Sequence, residues 1–98
     1  MSWMFDDPSN TAVFTSKRVL SGAEWIACVT HDADDGAWQF HGPGGAASEA
    51  EAVLVGLGTI VKLDPSLTQL ADLALGWCAW RTSPSAPWHR RRSVEAEP

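Results

Sequence analysis

The sequence predicts an α+β domain, a small antiparallel sheet of about four to five strands with two or three short helices on one face. Three observations lead there. Two strand-like stretches, 24–31 and 37–41, flank Asp32-Ala33-Asp34-Asp35-Gly36, a hairpin loop. Leu57, Ile60, Val61 and Leu63 then approach helical spacing, and Leu67, Leu70 and Leu73 follow at steps of three. Finally, Trp77-Cys78-Ala79-Trp80-Arg81 is an apolar stretch behind Gly76, suited to a closing strand. The chain has 98 residues, enough for one domain and too few for two.

Element by element, residues 1–10 read as an N-terminal arm rich in turn formers, Asp6-Asp7-Pro8-Ser9-Asn10, on which Trp3 and Phe5 can still dock. Residues 11–15 form a first short strand. Ser16 is placed to cap a helical turn over 17–20, which Ser21-Gly22 ends. The stretch 24–31 carries apolar residues on both alternating rows and belongs in the middle of the sheet. Gly36 supplies the positive φ of the hairpin, and on the return strand Trp38 and Phe40 share the core face. Gly42-Pro43-Gly44-Gly45 breaks that strand; 46–52 is compatible with a helical turn or a loop. Residues 53–56 form a buried strand and 57–63 a short helix, although Gly56 and Gly58 oppose a helix there. Asp64 caps a new helical turn begun by Pro65, with Leu67, Leu70, Leu73 and Leu75 on its inner side. A single domain thus spans 11–82, and 83–98 reads as a flexible tail containing Trp88, the most exposed of the tryptophans.

Composition excludes several classes. Twelve acids against seven bases give a net charge of -5, which disfavours nucleic acid. No apolar run is long enough for a membrane helix. The acidic start has neither the basic nor the apolar region of a signal peptide, so the expected location is cytoplasmic. Cys28 and Cys78 accordingly read as reduced, buried small hydrophobes.

Most candidate chemistry fails on spacing. Counted from Asp32 as a calcium loop, Gly36 falls at the fifth position and Pro43 at the twelfth, where ligands belong. His31, His41 and Asp32 could supply three zinc ligands only if both histidines shared a face. The glycine-rich segment lacks a following Lys, and Glu49 and Glu51 would repel a phosphate. His89-Arg90-Arg91-Arg92 is the only basic cluster and reads as a solubilising tail. No nucleophile or acid–base pair stands out, so the chain reads as a non-enzyme without a cofactor.

The tryptophans carry the remaining signal: six Trp can supply much of a small core, and Trp is also the commonest hot-spot residue at interfaces. Trp77 and Trp80 differ by three positions and face opposite ways on one strand. At least one of Trp25, Trp38, Trp77 and Trp80 should therefore lie on the sheet face away from the helices, unless a second copy covers that face. The candidate binding residues are Trp38, Trp77 and Trp80, with Asp34 and Asp35 beside them.

The order of several pieces also resembles a family of small bacterial proteins of unknown biochemical function, grouped by genome context with the immunity proteins of polymorphic toxin systems. The pieces lie between residues 15 and 81: Ser16-Lys17-Arg18-Val19-Leu20, then Asp35-Gly36-Ala37-Trp38-Gln39-Phe40, Leu57-Gly58-Thr59-Ile60, Asp64-Pro65-Ser66-Leu67, and Gly76 before the strand ending at Arg81. Ala37 stands where that family usually has Gly directly before the Trp. The resemblance implies a small α+β domain with no established catalytic residues and, through genome context, neutralisation of a toxin by binding. The expectation is thus a non-enzymatic protein-binding domain whose acidic charge suits a basic toxin, with a homodimer as a further arrangement. A small-molecule or metal-binding accessory domain using His31, His41 and a Trp is the alternative.

Overall fold

A computed structural model of the chain describes residues 3–45 and 48–93. The elements are β1 (Ala12–Ser16), α1 (Lys17–Ser21), β2 (Cys28–His31), β3 (Trp38–His41), β4 (Ala52–Gly56), α2 (Leu57–Leu63), a 3-10 helix (Pro65–Leu70), β5 (Trp77–Trp80) and β6 (His89–Arg92). The strands build one sheet in the order β4-β1-β3-β2-β5-β6. The α+β class holds, with two corrections. The sheet has six strands, and it is mixed, because β1 runs parallel to β3 while every other neighbouring pair is antiparallel. The parallel pair arises because the chain passes through α1 and β2 before β3 returns to lie beside β1.

Local chemistry explains where the helices start and stop. Ser16 has extended backbone and its hydroxyl accepts from the Val19 N–H at 3.1 Å, a free donor of the first turn of α1. Gly22 ends that helix at φ 86°, which a side chain would resist. Asp64 caps the 3-10 helix through Ser66 N–H at 3.1 Å, with Pro65 in the first turn where its missing N–H costs nothing. Gly56 and Gly58 tolerate α2 for a packing reason: the Ser9 carbonyl accepts from Gly58 N–H at 2.7 Å, and a Cβ at Gly58 would come within 3.1 Å of the Ser9 side chain.

The three helices cover one face of the sheet. Val13, Val29, Trp38, Phe40 and Ala79 point to that face and pack with Val19, Leu57, Ile60, Leu67, Leu70 and Leu73 in one core. Leu75, expected to point inward, is exposed, and so is Leu63 at the end of α2. The arm is docked over residues 3–10: Phe5 is buried edge-on to Trp38, with ring centres 5.3 Å apart, and Asp7 accepts from Trp38 Nε1 at 2.9 Å. Strand order within 24–31 begins only at Cys28, which leaves Trp25 in the preceding loop.

Residues 89–92, expected in a flexible tail, form β6 on the outer side of β5. Arg91 extends over the Trp80 ring, 5.2 Å from its centre, and Arg90 donates to the Gln69 carbonyl and to Asp72. These contacts, invisible in a local reading, hold a strand made of His and Arg. Trp88 is half-buried against the core, with the Arg81 guanidinium 4.2 Å from its ring centre, and so is not the exposed tryptophan expected.

Candidate functional site

Among the described residues no helix covers the face of the sheet opposite the core. Strand register lines up one row across all six strands: Leu54 beside Phe14, Phe14 beside Gln39, Gln39 beside Thr30, Thr30 beside Cys78 and Cys78 beside Arg91. A second row runs from His41 through Cys28 and Trp80 to His89. Leu54 is 60% exposed and Phe14 42% exposed, although both lie on strands. Large apolar side chains left in water on adjacent strands are the feature that marks binding surfaces.

Trp80 anchors the other half of this face. It is half-buried, its ring stacks with His89 at 5.4 Å between centres, and Arg91 covers part of it. A polar relay runs between the two halves. Gln39 Nε2 donates to Asp32 at 2.7 Å, which leaves Gln39 Oε1 to accept from His41 Nε2 at 3.1 Å. That bond places the His41 proton on Nε2, so Nδ1 is a bare lone pair, buried and without a hydrogen bond. A second proton would bring charge into this site. Burial accordingly holds the His41 pKa below the ordinary histidine value, against the opposing pull of the Asp32 charge.

The predicted site residues separate in space. Trp80 lies on the uncovered face, as the opposite facing of Trp77 and Trp80 requires. Trp38 is 2% exposed inside the core, which removes it from any binding surface. Trp77 pairs with His31 on the covered face and packs half-buried against the core. Alternation is the reason: Trp38 and Trp77 both sit at register positions shared with His31, on the helix side. Asp34 and Asp35 are exposed in the hairpin loop at one end of the sheet, where Asp35 accepts from Ala37 N–H at 3.0 Å.

The constellation needed for a metal does not form. His41 is on the uncovered face, whereas His31 stacks on Trp38 at 3.8 Å on the covered face and bonds through Nδ1 to the Leu73 carbonyl. Among the described residues no group of three or more His, Cys, Asp or Glu is arranged to hold a metal ion. Cys28 and Cys78, expected in the core, are half-buried on the uncovered face and form no disulfide.

Arg81 was the residue a local reading missed. It is 5% exposed and donates to the carbonyls of Ile26 and Pro84, to Ser66 Oγ and to Asp64 at 2.6 Å. It thereby ties the loop before β2, the cap of the 3-10 helix and the segment leading to β6. Four of its five N–H donors are used within the fold, which makes it a structural centre. The only signal in the sequence was its position closing an apolar strand.

Among the described residues no helix is long and apolar enough to cross a membrane. A groove of about 810 Å³ lies between the docked arm and the start of α2, lined by Trp3, Met4, Asn10, Val61, Lys62 and Pro65 among others. No family model matches the chain, and neither the curated proteins nor the solved structures contain a match to it.

Proposed function

We propose that this chain is a non-enzymatic protein-binding domain of immunity type, acting in the cytoplasm, that receives its partner on the uncovered sheet face. The observation that carries this reading is the exposure of Phe14 and Leu54 on the same row that leads to Trp80's side of the sheet. A sheet is a rigid platform, so a partner loses little entropy in ordering it. The partner is a basic protein, of which a toxin is the expected kind. A net charge of -5 steers a basic surface toward the domain, and Asp32, Asp34 and Asp35 stand at one end of the sheet as a rim of acid. The resemblance to immunity proteins supports the same reading.

Co-expression with the product of the neighbouring gene tests it. The expected outcome is a co-purifying complex and rescue of growth, both lost on Thr30→Arg, which places a cation in the centre of the face. Absence of a complex together with absence of rescue overturns the proposal.

A second reading, a small-molecule accessory domain, is favoured by the groove beneath the arm, whose lining includes Trp3, Met4 and Val61. It shares nothing with the two histidines, which lie on opposite faces. Thermal-shift screening against metabolites separates the readings: stabilisation that Trp3→Ala abolishes supports the groove, and a flat response removes it.

A further inference from the structure

The two edges of the sheet differ in how they are guarded. The β6 edge is His-Arg-Arg-Arg, and the β4 edge is Ala-Val-Leu-Val-Gly. Edge strands expose unpaired backbone groups, and proteins usually guard them with charge, proline or a bulge. The β4 edge has none of these devices, since it pairs with β1 over five consecutive positions without interruption.

The backbone polarity of β4 follows from its ends. Leu57 N–H donates to Thr11 O at 2.8 Å, and Lys17 N–H donates to Glu51 O at 2.9 Å. Counting inward by two from each end assigns the bonded pairs to Val13–Val55 and Thr15–Val53. Leu54 falls between them, so its N–H and its C=O both point away from β1. No described residue takes either group. The Leu54 side chain stands on the uncovered face beside Phe14.

We infer that two copies of the chain pair through β4, antiparallel about a two-fold axis at Leu54, to make one continuous sheet. Leu54 N–H then donates to Leu54 O of the second copy, and the reverse bond forms by symmetry. The exposed row becomes Phe14–Leu54–Leu54–Phe14 across the seam, which takes apolar surface of Leu54 out of water.

Charge selects a second copy at this edge and rejects one at the other. Residues 52–56 carry no charge. The nearest acid, Glu51, is held by Arg18 of its own copy at 3.2 Å and would sit opposite the uncharged Leu57. Pairing β6 with itself would instead set arginine against arginine, which is unfavourable. The inference does not depend on the toxin-binding reading, since it concerns the isolated chain.

Sedimentation equilibrium of the full chain, with circular dichroism as the check on folding, decides it. The expected result is a dimer whose mass halves on Leu54→Lys and on Leu54→Pro while the spectrum is unchanged. Proline at 54 removes only an outward N–H and leaves the ladder to β1 intact. Should Leu54→Pro fail to fold, Leu54→Lys gives the decision alone. Arg91→Glu, on the opposite edge, is expected to leave the dimer in place. A wild-type chain that stays monomeric up to millimolar concentration overturns the inference. So does a dimer that survives the folded Leu54 variants or is dissolved by Arg91→Glu.

Discussion

Phe14 and Phe40 are the same residue type on strands one step apart in the sheet, and they meet opposite fates. Phe40 is 1% exposed beneath the helices, whereas Phe14 is 42% exposed on the far side. The difference lies in strand parity. Phe14 is in register with Gln39, so its neighbour on β3 along that face is polar, and the core residues Trp38 and Phe40 occupy the other parity. One sheet thus carries a face that stabilises the fold and a face that is available for contact. Apolar content alone does not tell them apart.

The largest test of this contrast is a pair of truncations. Phe40→Ala should cost about 3–5 kcal/mol in denaturant unfolding, because it removes a ring from a closed core and leaves a cavity. Phe14→Ala should cost much less, about 1 kcal/mol, because the side chain keeps a large share of its surface in water and leaves no closed cavity. Equal losses would mean that the two faces are equally buried in solution, which a covering partner or second copy would produce.

Arg81→Met asks whether the joint beside the core matters as much as the core itself. It removes the cation beside Asp64, whose Oδ2 loses its donor, and leaves two carbonyls without theirs, and a loss of about 3 kcal/mol is expected by thermal or denaturant unfolding. The value sits at the low end of the range for a broken buried pair because the Asp64 side chain keeps some contact with water. A loss below about 1 kcal/mol, the level of an exposed pair, would show that the joint is not closed in solution. Ser16→Ala, which removes the cap of α1, should cost about 1 kcal/mol, read as a lower denaturation midpoint.

The smallest effect belongs to the uncovered face and appears as pH dependence. The folded pKa of His41 lies below its unfolded value of 6.5, so the unfolded chain binds the proton first. The contribution of His41 to stability is therefore complete above about pH 6.5 and declines as pH falls through the interval down to the folded pKa. His41→Gln should flatten unfolding midpoints measured across that interval. An unchanged slope would assign the acid sensitivity to other groups.

Much of the local structure was legible because it depends on neighbours in the chain. Ser16, Gly22, Gly36, Asp64 and Pro65 perform the capping and turning roles that their chemistry allows. The residues of α2 were recognisable from apolar spacing, despite two glycines that turn out to admit the Ser9 backbone. The candidate site was legible only in part. The opposite facing of Trp77 and Trp80 followed from alternation, but which of them met the helices did not. Asp34 and Asp35 were readable as exposed because a hairpin loop has nowhere else to put them.

β6 shows where such reading stops. His-Arg-Arg-Arg has little intrinsic preference for a strand, and it becomes one because β5 has a free edge, Trp80 offers a ring to Arg91, and Gln69 and Asp72 accept from Arg90. The sequence by itself determined the class of the fold, where the helices start, the turns and the two-faced character of the strands. These depend on backbone angles and hydrogen bonds within a few residues. Tertiary structure alone decided the strand order, the parallel pairing of β1 with β3, the burial of Trp38 and the exposure of Phe14 and Leu54. Those outcomes depend on which distant strand supplies each partner and on which face the helices come to rest.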